Sequence, residues 1–179
     1  MKLRSDNMVK ILGICGSPKK GNTEFMLRTV LDSAKKNGAD TTLVLLRNLN
    51  IKHCTGCDIC EKTKKCVIRD DMNKLYPKIS SADIFVLGSP SYFNNVSGIM
   101  KDFIDRFCPI WEDERFENKK AFLVAPAHST AEDAIKAMKE FCDICGIKVI
   151  GNLYINTENK ITENKTLIKK LKKVGKKLA

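Results

Sequence analysis

No stretch of about eighteen apolar residues occurs in this chain, so it offers no helix that would cross a membrane. Residues 1–7, Met-Lys-Leu-Arg-Ser-Asp-Asn, lack the apolar core of a secretory leader. They read as a polar extension without a role, and a cytoplasmic protein is expected. No internal repeat is visible. There is no helix-turn-helix or RNP-type motif, and the basic residues are not interleaved with aromatic platforms for bases, so nucleic acid is disfavoured as a partner. Acidic residues are in deficit: 21 Asp and Glu stand against 32 Lys and Arg, a net charge of +11. The excess gathers in the C-terminal segment and around Lys62, Lys64 and Lys65. Such a surface suits an acidic partner, for example an acidic redox protein, or it is a solvated face plus a lysine-rich helix.

Against these absences stand eight cysteines. In a leaderless chain of 179 residues they point to metal or redox chemistry rather than to a disulfide framework. Four of them, Cys54, Cys57, Cys60 and Cys66, follow the spacing C-x2-C-x2-C-x5-C, the most specific feature of the sequence. Three thiols at three-residue intervals can wrap one polynuclear centre, and a fourth completes a four-thiolate set of the kind that holds iron–sulfur clusters. The spacing differs from the bacterial ferredoxin run, where the fourth cysteine comes after three residues and precedes proline; here Val67 follows. A structural zinc site is the alternative, although zinc usually takes two cysteine pairs separated by a longer excursion. Idle thiols are the third reading.

The length suits one domain, 1–179, carrying a cysteine-rich loop at about 48–69. Val9 to Cys15 reads as a buried strand, and the glycine-containing turn Gly16 to Thr23 leads into a helix with Met26, Leu27, Val30, Leu31 and Ala34 on one face, ending near Gly38. Strands are expected at Thr41–Arg47, Asp83–Gly88, Lys120–Ala125 and Ile147–Ile155. Helices are expected after Asp70 or Asp71, which would cap the first, through Ile99 to Phe107, near Ala131 to Cys145, and from Glu163 onward. Pro77 predicts that the helix after Asp71 is short, kinked or broken. Alternation of this kind predicts a parallel sheet covered on both faces, in the doubly wound order 2-1-3-4-5. Its crevice would lie outside the carboxyl ends of strands one and three.

The two loops at that crevice are unusual. Gly16-Ser-Pro-Lys-Lys-Gly-Asn-Thr23 offers amides and hydroxyls at a helix N-terminus, an anion site, yet Asn22 stands where a P-loop has its lysine. Triphosphate hydrolysis is disfavoured and a monophosphate fits; a plain turn with an N-cap is the alternative. Ser89 to Ser97 sets Tyr92 and Phe93 beside Asn94 and Asn95, which suits a flat heterocycle such as flavin, or else places two core aromatics near a strand end. His53 reads as an exposed loop histidine, Cys15 as a buried thiol, and Cys142 and Cys145 as core residues sharing a helix face.

The segment Val9–Thr23, the four-cysteine run followed by Asp70-Asp71-Met72, and Gly-Ser-Pro-Ser-Tyr-Phe-Asn-Asn-Val-Ser-Gly-Ile-Met-Lys-Asp-Phe-Ile-Asp-Arg together resemble the iron–sulfur flavoprotein branch of the NADPH-dependent FMN reductase family, over residues 9 to about 110. The resemblance implies a flavodoxin-like fold, FMN at the switch point, and a [4Fe–4S] cluster on Cys54, Cys57, Cys60 and Cys66. It implies that Ser17, Lys19, Asn22 and Thr23 hold the phosphate and that Pro90, Tyr92, Phe93, Asn94 and Val96 line the ring. Assembly as a homodimer or homotetramer is implied as well. One departure is plain: relatives often carry a glycine-rich loop after strand four, whereas this chain has Ala125-Pro-Ala-His-Ser-Thr130. The function so implied is electron transfer between an acidic ferredoxin-like carrier or NAD(P)H and an acceptor. Two alternatives stand beside it: an NAD(P)H-dependent FMN or quinone reductase without a cluster, and a zinc-knuckle module that binds nucleic acid.

Overall fold

Strand β1 (Lys10–Cys15) lies inside a five-stranded parallel sheet, between β2 (Asp40–Leu45) and β3 (Ile84–Gly88), with β4 (Lys120–Ala127) and β5 (Lys148–Asn156) continuing beyond β3. The order is the 2-1-3-4-5 expected from the sequence. The computed structural model describes residues 8–111, 114–116, 118–157 and 159–179, so the reading of residues 1–7 as an extension lies outside the described residues. No helix among the described residues is long and apolar enough to cross a membrane.

Central strands are apolar at nearly every position because both faces are covered. Leu12, Ile14, Phe85 and Leu87 point into one core, with residues from α3 (Met72–Ser81), α4 (Gly98–Asp105) and α5 (Glu132–Ile144). Ile11, Cys15, Ile84 and Val86 point into the other, beneath α1 (Asn22–Lys36) and α6 (Lys165–Leu178). Helices α1 and α6 pack closely enough that a Cβ on Gly175 would stand 2.2 Å from the Val30 carbonyl oxygen.

Helix α3 continues across Pro77 instead of stopping there. Pro77 lies on the exposed side, away from Met72, Leu75 and Ile79, so the missing hydrogen bond falls on the solvent side of the helix. Strand β2 ends two residues sooner than expected, in a short 3-10 turn at Leu46–Asn48, and β4 runs two residues further than expected, through Pro126. The Ser89–Ser97 segment, expected as a loop, contains a tight hairpin of Ser91–Tyr92 and Asn95–Val96. Its tip residues Phe93 and Asn94 both have positive φ, 49° and 57°, the signs of a type I′ turn.

The cysteine loop hangs from a polar neck. Arg106, just after α4, is 1% exposed and donates from Nη1 to Asp70 Oδ2 at 2.6 Å and to the Lys52 carbonyl at 2.9 Å. Its Nη2 reaches Asp70 Oδ1 at 3.2 Å and the Ile68 carbonyl at 3.4 Å. One guanidinium therefore grips the chain before Cys54 and after Cys66. Asp70 also accepts from the Lys52 and Met72 amides, so it both closes the neck and caps the start of α3. Asp71 adds a bond from the Asn50 amide. Burial would raise the Asp70 carboxyl, but the bonds from Arg106 and the two amides outweigh it and hold it below the usual range.

Two stability tests follow from this packing. Gly175→Ala is expected to cost about 1–3 kcal/mol in urea unfolding, because the colliding atom is backbone and cannot swing aside. Asp70→Asn is expected to cost about 3–5 kcal/mol near neutral pH, since it strands a buried guanidinium. The depressed Asp70 carboxyl contributes stability that is full above the unfolded value of about 3.9 and is lost as pH falls through the lower folded value. The gap between wild type and Asp70→Asn should thus narrow on acidification below about pH 4, and a gap independent of pH would contradict this account.

Candidate functional site

The carboxyl ends of β1 and β3 are tied together before any ligand is considered. The Gly16 amide donates to the Gly88 carbonyl at 2.7 Å, the Ser97 hydroxyl donates to the Gly16 carbonyl, and the Ser97 amide donates to Ser89 Oγ at 3.0 Å. A Cβ on Gly16 would meet Met100 Cβ at 2.7 Å, so glycine is what lets the first loop lie against α4. These contacts open a cleft of about 310 Å³ at the place where the strand order reverses.

Of the residues singled out in the sequence, Ser17, Lys19, Asn22, Thr23, Pro90 and Tyr92 line this cleft together. Helix α1 begins there with Gly21 at its N-cap and no side chain accepting from its first turn. The first intrahelical bond is from the Phe25 amide to the Gly21 carbonyl, leaving the earlier amides for a ligand. Ser17 Oγ donates to the Lys19 carbonyl at 2.8 Å and so shapes the loop, while Thr23 is buried on the cleft wall. Asn22 is committed elsewhere: it donates to the Asn159 carbonyl at 3.0 Å and accepts from the Ile161 amide at 3.3 Å.

The remaining three singled-out residues do not line the cleft. Phe93 stands at the hairpin tip, wholly exposed. Asn94 beside it accepts from the Thr130 hydroxyl at 2.6 Å, which fastens the hairpin to the loop after β4. Val96 is buried in the core with Met100. Sequence reasoning missed a wall made of Thr157, Asn159 and Lys160, after β5. The only signal was polar residues following an expected strand, reinforced here by the bond from the Thr157 amide to the Ala127 carbonyl at 2.7 Å. His128 is exposed at the rim and lines the cleft, as does Lys20.

The cysteine loop leaves the same sheet edge, after β2. Cys54 and Cys57 are exposed, Cys60 and Cys66 are half-buried, and none is in a disulfide. Positive φ at Gly56, Asp58 and Lys64 coils the segment around a single short helix, α2 (Ile59–Thr63), none of whose residues is buried. Cys108, a thiol outside the motif that sequence reasoning passed over, opens the 3-10 turn Cys108–Ile110 against which α2 packs. Burial, with the nearby Cys108 and Cys66 sulfurs, pushes the Cys60 thiol up to about 11. His53 is exposed, with Nδ1 2.5 Å from Asp102 of α4. Cys15, Cys142 and Cys145 are buried in the core, and burial drives Cys142 and Cys145 up to about 12.

A family model described as NADPH-dependent FMN reductase matches residues 9–161. An iron–sulfur flavoprotein of Archaeoglobus fulgidus is 44% identical over 98 residues, 55% of this chain and 48% of that protein. The match thus spans about half the length of that relative. An iron–sulfur flavoprotein of Methanocaldococcus jannaschii is 33% identical over 148 residues, covering 80% of this chain and 77% of its own. Among solved structures, a flavodoxin from the domain Archaea superposes with a TM-score of 0.65 at 14% identity, covering 96% of both chains. That likeness shows a flavodoxin-like fold. With the family model extending over both crevice loops and the cysteine run, the chain belongs to the NADPH-dependent FMN reductase family.

Proposed function

We propose that this protein is a flavin-dependent oxidoreductase that transfers electrons, with FMN in the cleft and a [4Fe–4S] cluster on Cys54, Cys57, Cys60 and Cys66. The observation that carries the proposal is the coincidence, on one edge of the sheet, of a switch-point cleft at a helix start without a side-chain cap and a clamped loop bearing four free thiols. The names of the iron–sulfur flavoprotein relatives support the same reading. One domain, 1–179, with its cluster loop at about 48–69, belongs to this proposal.

The residues fit the flavin. Amides at the start of α1, with Lys19 and Thr23, suit a phosphate dianion, and Lys20 and Lys160 add positive charge. Pro90 and Tyr92 give the cleft a flat wall for the ring, and Phe93, Asn94 and Val96 act from the hairpin that carries this wall. The residues also fit a cluster. The donors are thiols, and Arg106 Nε is buried without a hydrogen-bond partner while Cys66 acts on the same guanidinium. Bound FMN exchanges electrons in pairs or singly and a four-iron cluster singly, so together they couple carriers of different electron count.

Electrons would pass between NAD(P)H or an acidic ferredoxin-like carrier and an acceptor, in a cytoplasmic homodimer or homotetramer. A reductase that lacks the cluster is the second reading. It is favoured by one fact: among the described residues, no three ligating side chains are gathered closely enough to hold a metal ion. Anaerobically reconstituted protein separates the two. About one FMN and four irons per chain are expected, and FMN without iron would leave the cluster-free reductase.

Ser17→Ala and Thr23→Ala should each weaken FMN binding by about 1–3 kcal/mol in a fluorescence titration, and unchanged affinity in the double variant would move the phosphate elsewhere. Exposed Lys62, Lys64 and Lys65 surround the cluster loop with positive charge. Electron exchange with an acidic ferredoxin, followed by stopped flow, should therefore slow as salt rises and slow again when all three lysines become glutamate. Flavin reduction by a small neutral reductant should not change. A rate indifferent to both would reduce these lysines to a solvated surface.

A further inference from the structure

Glu24 stands in the first turn of α1, at the end of the helix that faces the cleft, and it is 3% exposed. A glutamate three residues after an N-cap ordinarily reaches back to the N-cap amide and closes a capping box. Gly21 is that N-cap, yet among the described residues no bond joins Glu24 to it. Both carboxylate oxygens are taken sideways instead: Arg28 Nε donates to Oε1 at 2.8 Å and Arg47 Nη2 donates to Oε2 at 2.7 Å. Burial would raise the Glu24 carboxyl, but the bonds from the two arginines outweigh it and hold it below the usual range, so it stays charged at neutral pH.

Arg47 is the firmer of the two holds. The Arg28 side chain is 53% exposed and its bond competes with water, whereas that of Arg47 is 19% exposed. Arg47 comes from the 3-10 turn after β2, two residues beyond Leu45, whose pairing with Cys15 is the last between β2 and β1. It therefore stands at the carboxyl edge of the sheet, beside the loop that starts at Gly16. Its other terminal nitrogen, Nη1, is buried without a hydrogen-bond partner. An arginine that makes one ion pair and strands a buried donor is an unfavourable way to fill space, so its role lies in what it does to Glu24.

We propose that Arg47 is a positioning residue that holds the Glu24 carboxylate off the anion site at the start of α1 and so keeps that site open to a phosphate dianion. A charged carboxylate in the first turn, left to itself, is drawn back to the free amides and the positive end of the helix dipole. There it would occupy the donors that a phosphate needs and repel the phosphate as well. Arg47 removes both effects, because it turns the carboxylate toward the end of β2 and cancels its charge. This role rests on the proposed reading of the cleft as an FMN site, the dianion being the FMN phosphate. Riboflavin, which has the same ring and no phosphate, is indifferent to where Glu24 points.

The test compares the full chain, free of flavin at the start, as wild type, as Arg47→Met, and as Arg47→Met combined with Glu24→Gln. FMN and riboflavin binding are followed by fluorescence titration, and exchange of the Gly21 amide with water by NMR. Arg47→Met is expected to weaken FMN about tenfold, to leave riboflavin unchanged, and to slow Gly21 exchange as Glu24 closes onto that amide. The double variant strands no buried charge, so it folds even where Arg47→Met does not, and it is expected to regain the FMN affinity and the fast Gly21 exchange of wild type. A double variant that binds FMN about tenfold more weakly than wild type would overturn the proposal, since Arg47 would then act without Glu24. Folded Arg47→Met that loses riboflavin together with FMN, or that exchanges Gly21 as fast as wild type, would overturn it too. Wild type that binds neither flavin would sink the FMN reading alone, and slowed Gly21 exchange in Arg47→Met, reversed by Glu24→Gln, would still uphold the hold on Glu24.

Discussion

The buried ion pair of Arg106 and Asp70 is the constraint on which the arrangement of this protein depends. Both side chains are almost wholly removed from water, a placement that is unfavourable unless every charge is met. Here the carboxylate takes two guanidinium bonds and two amides, and Nη1 and Nη2 of the guanidinium also donate to the carbonyls of Lys52 and Ile68, which leaves only Nε without a partner. Tyr76 of α3 then donates to the Arg106 carbonyl at 2.8 Å. Helices α3 and α4 and both strands of the loop neck are therefore fixed by one residue. A hydrophobic pair of similar volume would fill the space but would leave those carbonyls and amides without partners.

That clamp explains why the cysteine loop keeps a defined exit although its segment from Cys54 to Cys66 contributes nothing to the core. Its only helix has no buried residue, and its outer cysteines are in water. Order in such a segment must come from its neck and from whatever its thiols bind, because it lacks the apolar surface to offset its own conformational entropy. The cleft works by another principle. Its walls are loops, but each loop is fastened to a neighbour: Ser97 to Gly16, Asn22 to the 159–161 backbone, and Asn94 to Thr130. The cleft is thereby held in shape by bonds that do not use its inward surface.

Much of this was legible in the sequence, for identifiable reasons. Strands buried on both faces read as unbroken apolar runs, so β1 and β3 were plain, and α1 and α6 each keep one face apolar. Strand order follows once five strands alternate with helices. Ends were less legible: β4 continues through Pro126 because the next residue, Ala127, accepts the Thr157 amide, a partner 30 residues away in sequence. The hairpin was hidden because its tip puts Phe93 at φ 49°, where a bulky residue is rare and asparagine or glycine would have signalled the turn. Val96 follows from the hairpin: strand alternation that leaves Asn95 exposed turns Val96 into the core. Cys108 and the wall of Thr157, Asn159 and Lys160 carry no spacing signal at all, since both reach their places through tertiary packing.

The basic charge divides along the same architecture. Helix α6 packs on α1, on the face of the sheet opposite α3 and α4, and its lysines therefore sit across the sheet from the helices that carry the cysteine loop. Charges on an exposed surface act over about 8 Å at physiological ionic strength, which is shorter than the roughly 10 Å between packed layers. The long-range pull of the +11 total and the local field at the loop are thus separate quantities. The former speeds any encounter with an acidic body, whereas only Lys62, Lys64, Lys65 and their immediate neighbours can orient that body toward the thiols. Helix α6 has a structural duty besides, because its stripe of Leu167, Leu171 and Leu178 closes the second core. Its lysines are what such a stripe leaves facing water, while those on the loop have no core behind them to explain their position.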